Sequence, residues 1–248
     1  MIYKKVITGS TSRLTMVDHT ETYGRHHLDK FMQYINVDKC IDIGCGGGAD
    51  LSIVKKYHNS AKLYGIDFGL WNNTKLQSLG VEPIALDIEK DKLPFEDDSI
   101  DIVIANQVFE HTKEIFWINH EIFRCLKRDG FLFLGVPNVL SLHNRILMLF
   151  GFHPTCNKST SAHIRVFSKR DVKSFYKNIG NEFCTVEKIY GAQFYPFPKS
   201  IARLLANIFP NLAVSSFYVI RKKHQYKGEF LEWPKHASLE TNYFIGSY

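Results

Sequence analysis

The chain has 248 residues, 45% of them hydrophobic and 23% charged, a composition ordinary for a soluble globular protein with a substantial core. No apolar run approaches the roughly 18 residues of a membrane span, and the five cysteines (Cys40, Cys45, Cys125, Cys156, Cys184) lack any CxxC pair, which argues against a disulfide framework and a zinc site; no metal is expected. The net charge of +6 is uneven: residues 1–124 hold 14 Lys and Arg against 18 Asp and Glu, and residues 125–248 hold 17 against 7. A basic back half suits an anionic substrate, phosphorylated or nucleotide-linked, and is equally the pattern of a solvated basic face or a weak membrane-surface preference.

In chain order, Met1 to Ser10 carry Lys4 and Lys5 but only Val6-Ile7 as an apolar core, so no secretion leader is expected and the chain reads as cytoplasmic. Residues 18–35 place Leu28, Phe31, Met32 and Ile35 at helical spacing. Apolar runs and helical patterns then alternate. Strands are expected over 40–43, 62–67, 83–88 and 100–105, and helices over 50–57, 73–79 and 114–126. Another strand, 131–136, is closed by Pro137. An amphipathic stretch over 140–152 and an irregular polar segment over 154–161 follow. Next come a helix over 169–179, a strand over 184–190, a helix over 199–208 and a strand over 216–221. The aromatic, polar tail beyond His224 shows no clear pattern. Such alternation implies right-handed crossovers and a mostly parallel sheet covered on both faces, with ligands at the carboxyl ends of the strands. That edge would carry the glycine loop, Asp67, Asp87, residues 106–111 and Pro137-Asn138.

Three groups carry the chemistry. In Cys40-Ile41-Asp42-Ile43-Gly44-Cys45-Gly46-Gly47-Gly48 the glycines let backbone approach a ligand closely, a feature shared by several cofactor sites. Asp67 ends the second strand some twenty residues later, where a carboxylate can accept both hydroxyls of an adenosine ribose; the alternative is a helix cap. Ala85-Leu86-Asp87-Ile88, the run Leu93-Pro94-Phe95-Glu96-Asp97-Asp98-Ser99-Ile100-Asp101, Asn106-Gln107-Val108-Phe109-Glu110-His111 and Arg124-Cys125-Leu126-Lys127-Arg128-Asp129-Gly130 complete the set.

With these residues the sequence resembles the class I S-adenosylmethionine-dependent methyltransferases, in particular their small-molecule branch. The resemblance covers roughly residues 39–138. Lys-Arg-Asp-Gly replaces the family's usual Pro-Gly-Gly turn, and Phe68-Gly69-Leu70-Trp71 is more apolar than the usual helix start. The resemblance implies an α/β, Rossmann-like, seven-stranded mostly parallel sheet with helices on both faces. The last strand would pair antiparallel, and a helical cap would be inserted after the fifth strand. One domain, 1–248, is expected. Its parts would be an N-terminal helical cap (1–36), a cofactor-binding core (37–137), a substrate-covering insertion (138–166), the end of the sheet (167–224) and a tail (225–248).

The resemblance also implies roles. Asp42 and the backbone of Gly44, Cys45 and Gly46 would bind the methionine end of S-adenosylmethionine. Asp67 would hold the ribose, Asp87 and Ile88 would read the adenine, and Phe68 would flank it or merely pack. Asn106 and Gln107 would line the pocket. For catalysis, His111 is the candidate base nearest the pocket, and His163 with Arg165 is a pair suited to an anionic acceptor. The amphipathic stretch over 140–150 reads as a lid or as a membrane-surface helix, the lid being favoured because Arg145 is its lone cation. The layout after Pro137 loosely resembles methyltransferases of bacterial surface-polysaccharide pathways, which implies O-methylation of a phosphate-bearing or sugar-linked small molecule, with no nucleic acid. Quinone, lipid and nitrogen acceptors are the alternatives. A nicotinamide oxidoreductase would share the loop and Asp67 but not the Asp87 arrangement, and an inactive cofactor-binding protein would share all of it.

Overall fold

The structure, a computed structural model, describes residues 18–246 except 70, 159, 181, 238, 240, 241 and 245. The expectations for the chain start and the first half of the N-terminal cap fall on residues 1–17, outside the described residues. Seven strands form one sheet: β1 (Lys39–Ile43), β2 (Lys62–Asp67), β3 (Val81–Ala85), β4 (Ile100–Asn106), β5 (Leu126–Pro137), β6 (Cys184–Ala192) and β7 (Ser215–Lys222). Their order is β3-β2-β1-β4-β5-β7-β6, with β7 antiparallel between β5 and β6 and the other pairings parallel. This is the expected Rossmann-like sheet. The helices are α1 (Arg25–Met32), α2 (Ala49–Tyr57), α3 (Asn73–Ser78), α4 (Ile115–Cys125), α5 (Leu142–Leu149), α6 (Lys169–Gly180), α7 (Lys199–Ile208) and α8 (Glu229–His236).

The central strands are near-continuous apolar runs because helices cover both of their faces. Side chains alternate between two cores. Ile41 and Ile43 of β1, Leu132 and Leu134 of β5 and Tyr218 and Ile220 of β7 face Phe123 of α4, Tyr176 of α6 and Phe230 of α8. Cys40, Phe133, Phe217 and Val219 face Leu28 and Phe31 of α1 and Leu51 and Val54 of α2. Cys40 and Cys125 are buried core residues, as expected, and all five cysteines are free.

Four boundaries differ from the sequence reading. The helix expected over 18–35 is a 3-10 turn, His19–Tyr23, and then α1; Gly24 divides them in the left-handed region (φ +53) and lies against the Phe217 ring, where a Cβ would sit 2.4 Å away. β3 ends at Ala85 because Asp87 begins a turn, its Oδ1 accepting from Glu89 N–H at 3.1 Å. β5 begins at Leu126 rather than at 131, carrying Lys127 to Gly130 through a register shift with Asp129 at φ +65. The tail, which showed no pattern, contains α8: Phe230 is fully buried and Trp233 stacks on Phe116 at 5.6 Å. The amphipathic stretch condenses to α5, capped by Ser141 Oγ, which accepts from Asn144 N–H. Among the described residues no helix is long and apolar enough to cross a membrane.

Candidate active site

At the carboxyl edge of the parallel strands, β1 passes into the glycine loop. Gly44 and Cys45 N–H both donate to Ile66 O (2.8 and 3.1 Å), pinning the loop onto β2, and Gly48 N–H donates to Cys45 O before α2 begins. Gly44 has φ +68, and a Cβ there would meet Val108 Cγ2 at 2.5 Å, so the close approach requires glycine. A cleft of 520 Å³ opens against this loop. Its floor is Asn106 and Gln107 at the end of β4, its roof is Tyr23 and Arg25 of the N-terminal cap, and its far end is Glu110, His111 and His163.

Asp50, in the first turn of α2, ties roof to floor: Arg25 Nε donates to its Oδ1 at 2.8 Å and Asn106 Nδ2 to its Oδ2 at 3.0 Å. Asn106 Nδ2 also reaches Tyr23 O at 3.0 Å. Asp50 escaped sequence reading; its signal, an acid at the N-terminus of a helix after a glycine loop, is common in helices without ligands. Tyr23 and Arg25 join the cleft, whereas His26 and His27 do not: His27 Nε2 bonds Gly191 O at 2.8 Å and its ring stacks on Tyr190.

Of the expected cofactor residues, Gly44, Cys45, Gly46, Asn106 and Gln107 line the cleft. Asp42 is buried behind them (2% exposed); burial, and then the neighbouring Asp50, hold its carboxyl well above the usual range. Asp67 lies beside the loop, its Oδ2 accepting from Gly46 N–H (3.1 Å) and its Oδ1 from Phe68 N–H (2.8 Å). Each oxygen keeps lone-pair capacity for a hydroxyl. Asp87 pairs with Lys90 at 3.1 Å, Ile88 packs on the core, and the Phe68 ring is 73% exposed rather than walled into the cleft.

Three buried polar atoms in the cleft, Asn106 Oδ1, Gln107 Nε2 and Glu110 Oε2, have no hydrogen-bond partner. Buried polar groups are nearly always paired. Their concentration at one cleft, with glycine-exposed backbone opposite, fits a polar ligand such as the methionine end of the cofactor.

His111 and His163 meet at the far end, their ring centroids 4.7 Å apart and their planes at 78°. His111 Nδ1 contacts Ala162 O (3.2 Å) and His163 Nδ1 contacts Cys156 O (2.7 Å). A carbonyl only accepts, so each Nδ1 carries a proton, which leaves Nε2 as the atom that can accept one. Burial, and then the neighbouring His111, lower the His163 pKa, which favours the neutral ring. Glu110 is 1% exposed, and burial pushes its carboxyl up to about 7. The donor atoms of Glu110, His111 and His163 lie within 4.8 Å of one another, a spacing a divalent cation could draw together; the expectation of no metal rested on the cysteines, and this cluster uses none.

Arg165 departs from its expected pairing with His163. Its guanidinium donates to Thr112 O (Nε, 3.0 Å) and Lys113 O (Nη2), and it lines a separate 200 Å³ cavity with Phe109 and Ile115. Its place is in clamping the insertion to the loop before α4. In that role it acts through the loop carbonyls alone.

Residues 41–134 match the methyltransferase domain family. Solved structures share the fold at low identity. A SAM-dependent methyltransferase from Aquifex aeolicus is 16% identical with a TM-score of 0.56, covering 82% of this chain and 92% of its own. One from Archaeoglobus fulgidus is 16% identical with a TM-score of 0.54, over 82% and 94%. The plantazolicin methyltransferase BpumL, solved in complex with a monoazolic desmethylPZN analog and SAH, is 18% identical with a TM-score of 0.56, over 82% and 85%. No curated protein matches the sequence. The sheet order, the glycine loop with its orphaned polar floor and the matched domain agree: residues 41–134 carry a methyltransferase domain, on the fold that the solved S-adenosylmethionine-dependent methyltransferases share.

Proposed function

We propose that the enzyme transfers the methyl group to a hydroxyl oxygen of a small anionic or carbohydrate-related acceptor, in the cytoplasm, in surface-polysaccharide biosynthesis. The observation that carries this reading is the meeting of His111 with His163, which brings a residue of the insertion to the open end of the cofactor cleft with a basic Nε2. The acceptor oxygen forms the new O–CH3 bond as the C–S bond breaks and its electrons return to sulfur. The hydroxyl proton passes to a histidine Nε2; a carboxyl oxygen of the buried Glu110 lies 3.9 Å from that of His111. Alignment of oxygen with the methyl group and exclusion of water supply the rest of the acceleration. In this reading the backbone of Gly44, Cys45 and Gly46, with Asp42 and Asp50, holds the methionine end, Asp67 holds the ribose, and Asp87 and Ile88 read the adenine. Phe68 lies against the adenine's outer side. The basic back half attracts the acceptor's anionic groups.

The test is a methyl-transfer screen over sugar nucleotides, phosphorylated small molecules, quinones, lipids and amines, scored by S-adenosylhomocysteine release. The expected product is an O-methyl ether. His163→Gln should lower its rate by roughly 10²–10⁴-fold at unchanged cofactor affinity. N-methyl products, or turnover abolished by chelators and restored by a divalent cation, would overturn the proton-transfer reading.

A further inference from the structure

Helices α5 and α7 follow β5 and β6, parallel strands whose carboxyl ends lie at the same edge as the cleft. α5 adjoins the loop that leads into α7: the ring of His143 meets Tyr195 at 4.6 Å. Both turn bulky apolar side chains outward. Leu149 is 83% exposed, Phe150 76% and Phe152 64%; α7 buries only Ala202 and Ala206 while exposing Leu204 and Ile208. Of the twenty large hydrophobic residues exposed among the described residues, fifteen lie between positions 140 and 209. Such a concentration of exposed bulky apolar side chains marks a contact surface.

Charge decides what it contacts. Residues 138–209 hold 10 of the 31 Lys and Arg but only 3 of the 25 Asp and Glu, leaving 21 against 22 in the rest of the chain. The whole positive excess therefore belongs to this segment, and because Lys199 and Arg203 of α7 pair with Asp18 and Glu21, it rests on the α5 and α6 side. Along α6, with Arg145 of α5 at one side, a groove of 770 Å³ is lined by Arg145, Lys169, Arg170, Lys173 and Lys177, with no carboxylate among its lining residues. A second copy docked through the same face would set one basic surface against another, which costs like-charge repulsion. An anionic bilayer offers both complements at once, phosphates for the cations and an acyl boundary for the apolar side chains.

We propose that the α5–α7 edge docks on an anionic phospholipid surface, with Leu149, Phe150, Leu204 and Ile208 entering the headgroup–acyl boundary and the Arg145–Lys177 groove taking lipid phosphates. Docked so, the enzyme presents the mouth of the cleft, where His163 lies, to the membrane plane. Docking stands whichever acceptor is methylated.

The experiment is co-sedimentation of the purified full chain with vesicles of phosphatidylcholine alone and of phosphatidylcholine mixed with phosphatidylglycerol. Binding should be at least about tenfold stronger to the anionic vesicles and should weaken with salt. The pairs Leu149→Ser with Phe150→Ser, and Lys173→Glu with Lys177→Glu, should each weaken it roughly tenfold or more, since each cation near such a surface is worth about fivefold. These side chains lie on the surface, and calorimetric affinity for S-adenosylmethionine should stay unchanged, which separates lost docking from lost folding. Absence of pelleting with either vesicle, equal binding to both, or variants that bind like the unmodified chain would overturn the proposal. So would light scattering that shows a dimer which Leu149→Ser with Phe150→Ser dissolves, since that assigns the face to a second copy.

Discussion

Replacing Glu110 with Gln should make the protein more stable at alkaline pH, and the size of the gain follows from burial. The carboxyl is 1% exposed with Oε2 unpaired, and its pKa rises from 4.5 to about 7 through desolvation. At about 1.4 kcal/mol per pH unit, that shift penalises the buried anion by about 3 kcal/mol. Below pH 4.5 the group is protonated in the folded and unfolded chains alike, and native stability is undiminished. Between 4.5 and about 7 the unfolded chain ionises first, and once the folded pKa is passed the full penalty has accrued. The substituted amide is neutral and close in shape, so the variant escapes this loss. Urea and thermal unfolding of both proteins at about pH 5 and about pH 9 would measure it. The variant's advantage should grow by about 3 kcal/mol between these conditions, roughly 6–12 °C in Tm for a chain of this size. S-adenosylmethionine, whose sulfonium is cationic, should restore more of the alkaline loss in the unmodified protein than uncharged-sulfur S-adenosylhomocysteine does. Stability curves that run parallel for the two proteins would refute the assignment of Glu110 as a buried acid held neutral.

Asp67→Ala removes the carboxylate that joins the glycine loop to β2 through Gly46 N–H. Cofactor affinity by calorimetry should fall roughly ten- to hundredfold, the range for losing charge-assisted hydrogen bonds, and an unchanged affinity would exclude the ribose role. Gly44→Ala should be far worse than Gly46→Ala, since both need a positive φ but only the former drives a Cβ to 2.5 Å from Val108. Unfolding midpoints and cofactor titrations on the two variants would show this, and equal damage would contradict it. Phe230→Ala should cost about 3–5 kcal/mol by chemical denaturation, because the ring is fully buried against Phe123, Phe175 and Phe183. A loss under about 1 kcal/mol would mean that α8 is not integral to the core.

The sheet was legible because β1, β2 and β4 are short apolar runs punctuated by glycine and acid, and such runs need no partner information to be recognised. Where the reading failed, the deciding contact was distant or the backbone unusual. α8 packs through the rings of Phe230 and Trp233, whose partners on α4 lie more than a hundred residues earlier. The start of β5 was hidden because Asp129 takes a positive φ that sequence patterns assign to glycine. Gly24 divides the N-terminal cap through its packing on Phe217, nearly two hundred residues away. At the cleft, the glycine loop was readable from its spacing, whereas the place of Asp50 needed Arg25 and Asn106 brought to it.

The pairing of His111 with His163 shows how the fold builds what the sequence leaves apart. Fifty-two positions separate them, yet neither ring is placed by its own contacts alone. The backbone N–H groups of Ile164 and Arg165 both donate to Glu110 O, at 2.8 and 3.1 Å, and the Arg165 guanidinium holds the next carbonyls along, those of Thr112 and Lys113. This clip closes the insertion onto the loop that carries His111. His163, one residue before the clip, must then lie over the cleft, while Arg165 faces the other way and lines a different cavity. A cation two residues from a histidine thus serves to set that histidine's position. The glycine loop hangs from β1 and β2 and shares none of these bonds, so in the proposed reaction cofactor binding and acceptor activation rest on separate elements that meet at the cleft.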